Sequence, residues 1–103
     1  AATTTSPYQL VNDLMREKAR AEIIVRHKSG LRGVLTGYVL AADRHMNLLL
    51  ADVDETAAAY GKKISIKALR QATSIETTPV VRRHFDQVLI RGDNIVLVSK
   101  NSH

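Results

Sequence analysis

The sequence predicts a mainly β domain, in which an amino-terminal helix precedes a strongly bent, five-stranded antiparallel sheet. Residues 31–53 indicate a hairpin, because two runs of alternating side chains flank a polar turn at residues 43–46. Turn signals recur too often along the chain for the crossover connections that parallel strands need. Gly33 and Gly37 lie inside the first run, and glycine within a strand is typical of a sharp bend or a close backbone approach.

The composition is that of one small globular domain with a basic charge. A chain of 103 residues with only 4% aromatic residues is expected to form a single domain whose core consists of aliphatic side chains. The net charge of +5 favours a polyanionic partner, although solubility explains it equally well. The sequence has no cysteine, no apolar run of membrane-spanning length and no signal peptide. We therefore expect a soluble intracellular protein without a membrane partner.

The first part of the chain predicts a short tail and one helix. Residues 1–5 are small and polar, and we expect them to be disordered. Ser6 followed by Pro7 is typical of a helix N-cap with proline at the first helical position. Apolar side chains then recur at helical spacing at Leu10, Val11, Leu14 and Met15. The helix is expected to end near the basic residues 16–20, because cations are favourable at the negative end of the helix dipole.

Alternating and β-branched segments predict the strands. They are expected at residues 21–27, 31–40, 47–53, 80–91 and 94–100. Residues 57–79 have weak periodicity and exceed the usual length of a connection, which indicates an insertion between the third and fourth strands. The fourth and fifth strands are expected to be the edges of the sheet, and Val88, Leu89 and Ile90 are expected to be buried where the fourth strand ends.

Two short motifs carry the chemistry. The first is DRHMN at residues 43–47, which follows Gly37 and precedes a leucine-rich strand, and the second is IRGDNI at residues 90–95. In this order the two resemble the paired motifs of the Sm and Sm-like family. Together with the strands around them, they cover most of the chain outside the tail and the insertion. The resemblance implies the Sm fold, an SH3-like open barrel, as a single Sm domain over residues 1–103.

A turn that carries an imidazole and an amide, near a guanidinium, suits an unpaired base. His45 can stack on one face and Arg91 on the other, while Asn47 can hydrogen-bond the base edge. From the residues alone, an exposed loop histidine and a turn-forming asparagine remain open alternatives. The resemblance implies that RNA is bound by His45, Asn47, Arg91, Gly92 and Asp93. Asp43 is expected to accept loop amide hydrogens and orient Asn47, because a carboxylate facing RNA would repel phosphate.

The resemblance also implies a function. It indicates one subunit of a heteroheptameric ring, which other Sm and Sm-like proteins complete around a uridine-rich single-stranded site of a small nuclear RNA. The segments GLRGVLTG, DVDET and RRHFDQVLIRGDNIVLV are most similar to Sm-like proteins of the nuclear particle that processes the ends of histone pre-mRNA. Those proteins have a long amino-terminal extension and a long insertion between the third and fourth strands, so this chain is expected to be trimmed. The alternatives are a spliceosomal Sm B type subunit and a ring-forming scaffold without direct RNA contact.

Other patterns do not favour an enzyme or a metal site. Residues 30–33 match the GxxG of a KH loop, but that loop joins two helices and this segment opens a strand. The histidines, at positions 27, 45, 84 and 103, lack a spacing that would place two of them on one metal ion. No serine lies in a nucleophile elbow, and no glycine-rich loop precedes a helix. The sequence therefore predicts a protein without catalytic activity, cofactor or small-molecule substrate, with a small hydrolase as a third alternative.

Overall fold

The computed structural model describes residues 6–26, 32–58 and 80–101. These residues form α1 (Pro7–Glu17), β1 (Arg20–Arg26), β2 (Arg32–Ala42), β3 (Leu48–Ala58), β4 (Val80–Ile90), a short 3-10 turn (Gly92–Asn94) and β5 (Ile95–Lys100). Within these ranges, the predicted order of one helix followed by five strands is confirmed. The tail at residues 1–5 and residues 59–79 of the predicted insertion lie outside the described residues.

Local sequence signals determine both ends of α1. Ser6 is the N-cap, because its backbone is extended and its Oγ accepts a hydrogen bond from the Gln9 N–H at 3.2 Å. Lys18 ends the helix in the left-handed conformation, with φ at 54°, and its N–H points back to carbonyls of the last turn. The apolar face of the helix buries Val11 and Leu14. The predicted cap and the predicted apolar face are both confirmed.

The described strands form one antiparallel sheet in the order β4-β3-β2-β1-β5. The two outer strands are therefore β4 and β5, which confirms the predicted edges. Both carry exposed apolar side chains, at Val81, Leu89, Val96 and Leu97. An outer strand has backbone groups without a partner strand, and it therefore favours pairing with another chain.

The sheet bends where β2 passes β3 at Gly37. A Cβ at this position would lie 2.9 Å from the Ala51 carbonyl oxygen and 3.1 Å from Val53 Cγ2. The pairing register between the two strands shifts here, and Asp52 in β3 has a left-handed backbone, with φ at 53°. The close backbone approach that the sequence predicts for Gly37 is confirmed, because a side chain at this position has no room.

The main core lies between α1 and one face of the sheet. Its largest fully buried side chains are aliphatic, as the composition predicts, and are Val11, Leu14, Ile23, Leu48, Leu50 and Val53. A second, smaller cluster contains Ile24 and Val34, with Val80 packed against it. Because neighbouring residues of a strand point to opposite faces, Ile23 and Ile24 belong to different clusters. Strand β1 is thus buried on both faces.

The prediction that the third strand ends at Val53 is wrong. Strand β3 continues to Ala58, so Ala57 and Ala58 belong to the sheet and not to the insertion predicted at residues 57–79. The acidic Glu55 is buried in this part of the strand because Arg83 of β4 bonds it, with Nε at 2.8 Å and Nη2 at 2.7 Å from its Oε1. The acidic Glu55 is therefore accommodated inside a strand by pairing with a basic residue of the next strand.

The end of β4 also differs from its prediction. Ile90 is buried and Val88 is half-buried, but Leu89 is 69% exposed. In a strand, Leu89 must point away from the face to which its two neighbours point. Three consecutive apolar residues therefore do not form one buried segment on an outer strand, and Leu89 adds to the exposed apolar surface of the edge.

A charged network crosses the sheet near its bend. In β4, His84 Nδ1 lies 2.8 Å from Asp54 Oδ1, and its Nε2 lies 3.5 Å from Asp52 and 4.0 Å from Asp86. Arg20 of β1 bonds Asp52 at 3.0 Å and Asp54 at 3.3 Å. The hydrogen bond to Asp54 is the main cause that raises the pKa of His84 above its ordinary value of 6.5, and the charges of the nearby carboxylates add to it.

The raised pKa of His84 predicts that stability falls as the pH rises through it. A group whose pKa is higher in the folded chain contributes its full stabilisation at pH values below its pKa in the unfolded chain, about 6.5. It loses this stabilisation as the pH rises through its pKa in the folded chain. Urea unfolding at a series of pH values from about 6 to 9 measures this. His84→Gln should remove this part of the pH dependence. If the variant and the parent have parallel curves, the ion pair with Asp54 does not form in solution.

Candidate nucleic-acid interface

The loop between β2 and β3, residues 43–47, is closed by one carboxylate. Asp43 Oδ1 accepts hydrogen bonds from the backbone N–H of His45 at 2.8 Å and of Asn47 at 3.0 Å. Its Oδ2 accepts a third bond from Asn47 Nδ2 at 2.8 Å. The backbone N–H of Met46, which has φ at 62°, donates to the Asp43 carbonyl at 3.1 Å. Asp43 therefore sets both the loop backbone and the direction of the Asn47 side chain.

The hydrogen bonds of this loop favour the ionised form of Asp43. The side-chain hydrogen bond from Asn47 is the largest of the causes that lower the pKa of Asp43 below its ordinary value. The backbone N–H groups of Asn47 and His45 lower it further. Asp43 is therefore ionised at neutral pH. The stabilisation that it contributes is present above its unfolded pKa and is lost only as the pH falls through the lowered folded value.

Gly92 joins the second motif to this loop. Its N–H donates to Asn47 Oδ1 at 2.8 Å. A Cβ on Gly92 would lie 2.0 Å from the His45 carbonyl oxygen and 3.1 Å from both Met46 C and Met46 O. The backbone of Gly92 is thus in direct contact with the backbone of the loop, at a position where only a glycine fits. Residues that are 45 positions apart in the chain form one surface.

The two bonds to Asn47 determine how its amide is oriented. The Gly92 N–H requires an oxygen as its acceptor, and the Asp43 carboxylate requires an N–H as its donor, so Oδ1 and Nδ2 cannot be exchanged. Within the described residues, the second hydrogen of Nδ2 meets no acceptor. Asn47 thus presents a hydrogen-bond donor in a fixed direction.

The side chains of His45 and Arg91 extend into solvent beside this junction. The Nε–H of Arg44 donates to His45 Nε2 at 3.3 Å, so the neutral ring carries its proton on Nδ1. Arg91 is 74% exposed, and its Nη2 lies 3.7 Å from Asp93 Oδ2. The structure therefore brings Asn47, Gly92 and the His45 backbone into contact. It pairs Asp93 with Arg91 and leaves both planar side chains accessible.

One residue that contacts this region lies outside both motifs. Tyr8, in the first turn of α1, donates a hydrogen bond from its hydroxyl to the Arg44 carbonyl at 2.7 Å. Tyr8 and Met46 are among the residues that line a cavity of about 180 Å³ between the helix and the loop. The single sequence signal was that Tyr8 is one of few aromatic residues in a chain with 4% aromatic content.

Neither a metal-binding cluster nor a helix that could cross a membrane is found in the part of the chain that the structure describes. Residues 6–26, 32–58 and 80–101 contain no group of three or more histidine and acidic side chains placed to hold a metal ion. In the same ranges, no helix combines the length and the apolar character that crossing a membrane requires.

Comparison with known proteins finds Sm-like relatives. The chain is 35% identical over 89 residues to mouse U7 snRNA-associated Sm-like protein LSm11, an alignment that covers 86% of this chain and 23% of the relative. It is 31% identical over 86 residues to the Xenopus laevis protein of the same name, which covers 84% of this chain and 27% of that protein. The chain thus spans about a quarter of the length of these curated relatives.

The fold has solved counterparts. The structure of a Pyrococcus abyssi Sm protein in complex with a uridine heptamer superposes with a TM-score of 0.56 at 18% identity, and the alignment covers 94% of this chain and all of that one. This likeness confirms the predicted Sm fold. A sequence model described as LSM domain matches residues 13–100, which include the carboxy-terminal part of α1 and all five described strands. On the strength of this match and of its relatives, the chain belongs to the LSM-domain family of Sm-like proteins.

Proposed function

We propose that this chain is an RNA-binding subunit of a heteroheptameric ring, which it forms with other Sm and Sm-like proteins on a uridine-rich single strand. The observation that carries the proposal is the 2.8 Å hydrogen bond from Gly92 to Asn47, because it joins the two motifs into one surface. His45 lies two residues before Asn47, and Arg91 lies directly before Gly92. Both have planar side chains that are exposed. Unstacked bases are recognised by such planar groups beside a fixed hydrogen-bonding amide.

The state of the Asn47 amide supports a preference for uridine. Its oxygen is occupied by Gly92 and one of its amide hydrogens by Asp43, so it offers a donor to the RNA. A pyrimidine with a carbonyl oxygen at position 4 can accept that bond, whereas cytosine has an amino donor there. If the Asn47 amide hydrogen faces the amino group of cytosine, two donors meet and neither finds an acceptor, which disfavours cytosine.

The outer strands support the ring. Strands β4 and β5 are the two ends of one sheet, and both carry exposed apolar side chains. If β4 of one subunit pairs with β5 of the next, the contact is head-to-tail, and repeated contacts of this kind close into a ring when the rotation allows it. Ring closure would also cover the edges that otherwise favour aggregation.

The names of these two relatives support one particle in particular. Both of the curated relatives described above are U7 snRNA-associated, and we therefore propose that this chain belongs to the nuclear U7 particle that processes the ends of histone pre-mRNA. Recovery of U7 snRNA with the tagged chain from nuclear extract tests this assignment. Recovery of spliceosomal small nuclear RNA instead would favour the Sm B type alternative.

Substitutions in the two motifs test the RNA site. In rings reconstituted with Sm-family partners, His45→Ala should weaken the binding of uridine-rich RNA by about 1 to 3 kcal/mol, the contribution of stacking on one base, without changing the salt dependence. Arg91→Ala should weaken binding and also flatten the salt dependence, because it removes a cation. Asn47→Ala should reduce the preference for uridine over cytidine. Binding of labelled strands at several salt concentrations measures all three.

Arg26→Ala is the matched control for charge. Arg26 is also exposed, but its position in the sheet is far from the loop. In the register of β1 and β2 it lies opposite Arg32, at the other end of β2. Its loss should alter RNA affinity little and leave base preference unchanged. If rings carrying both His45→Ala and Arg91→Ala bind RNA like the parent, this surface is not used, and a scaffold without direct RNA contact is the better explanation.

A further inference from the structure

One peptide unit at the tip of the loop is hydrogen-bonded on both sides. The N–H of His45 donates to Asp43 Oδ1 at 2.8 Å, and the Arg44 carbonyl of the same peptide accepts from the Tyr8 hydroxyl at 2.7 Å. Because a peptide unit is planar, bonds at both of its ends fix its orientation. This plane ends at the Cα of His45 and therefore sets the direction in which the imidazole leaves the backbone.

The two bonds come from different parts of the fold. Asp43 belongs to the loop itself, whereas Tyr8 lies 36 residues before Arg44 on α1. The position of the helix is fixed independently, because Val11 and Leu14 are 1% and 2% exposed in the core. Tyr8 thus connects the tip of the loop to a helix that is anchored in the core. Tyr8 is 51% exposed, so the bond from its hydroxyl, and not its burial, is its specific contact.

We propose that Tyr8 is a positioning residue for RNA binding, whose hydroxyl holds the Arg44–His45 peptide so that the His45 ring is presented to a base. The inference rests on the proposed function, since it requires that His45 stacks on RNA. Tyr8 acts through His45 and need not touch RNA. A loop that is already ordered loses less conformational freedom on binding, and affinity rises accordingly.

Tyr8→Phe tests the proposal because it removes the hydroxyl and keeps the ring. The affinity of reconstituted rings for a uridine heptamer should fall about three- to tenfold, the effect of one net hydrogen bond. Tyr38→Phe is the matched control. The Tyr38 ring stacks with the Arg20 guanidinium, 5.1 Å from the ring centroid, and lies outside the loop. Its affinity should equal that of the parent.

A double-mutant cycle separates positioning from a general structural role. In rings that carry His45→Ala, Tyr8→Phe should cause no further loss, because the ring that Tyr8 positions is gone. The proposal is overturned if Tyr8→Phe binds like the parent, or if its loss is the same with and without His45. If His45→Ala alone has no effect, the proposed RNA contact of His45 itself fails, which is a result distinct from failure of the Tyr8 proposal.

Discussion

Gly92→Ala is expected to lower the free energy of unfolding by about 3 kcal/mol and to abolish RNA binding by rings that still assemble. The added carbon would lie 2.0 Å from the His45 carbonyl oxygen. This neighbour is backbone and cannot rotate away, so the two motifs must separate. Separation would also break the bond from the Gly92 N–H to Asn47 and leave the amide oxygen of Asn47 without its partner.

Urea denaturation of Gly92→Ala and of the parent measures the loss of stability, and a labelled uridine strand measures RNA binding. Asn94→Ala is a suitable control, because Asn94 is an exposed residue of the same 3-10 turn. It should change stability by less than about 0.5 kcal/mol. Parent-like stability of Gly92→Ala would mean that the two motifs are not in contact in solution.

Arg83→Met is expected to cost about 2 to 3 kcal/mol of stability, because it leaves the Glu55 carboxylate buried without its partner. The Glu55 side chain is 7% exposed and the Arg83 side chain 57% exposed. Breaking a fully buried pair costs more, but solvent reaches the guanidinium here and reduces the effect. The double variant Glu55→Gln with Arg83→Met should recover part of the loss, since no buried charge remains.

An exposed ion pair provides the comparison for Arg83→Met. Lys100 Nζ lies 3.3 Å from Glu17 Oε2, with side chains that are 61% and 51% exposed. Lys100→Met should therefore cost less than about 1 kcal/mol. Chemical denaturation of the single and double variants checks both values. Equal losses for Arg83→Met and Lys100→Met would contradict the argument that burial of Glu55 decides the effect.

Short-range signals made much of the fold predictable. Ser6 caps the helix by accepting a hydrogen bond from Gln9, three residues away, and the loop that follows β2 is closed by bonds that Asp43 accepts from residues at most four positions later. Such contacts depend on the local backbone and on residue type, both of which a pattern in the sequence contains. The alternation of side chains likewise predicts strands wherever one face is buried.

The same reasoning failed where a distant partner decided the outcome. The length of β3 could not be predicted, because the burial of Glu55 depends on Arg83, which lies 28 residues later. Leu89 looked like part of a buried run, but its exposure follows from the position of β4 at the edge of the sheet. Neither pairing nor strand order is a property of the local sequence.

By itself, the sequence determined the class of the fold and the order of the two motifs, and it predicted the residue types that a base would need. Only the tertiary structure decided that Gly92 contacts Asn47 across 45 residues, and that Tyr8 contacts Arg44 across 36. The physical reason is that an alternating or helical pattern records which face of an element is buried, whereas a hydrogen bond between two loops depends on how those elements pack against each other.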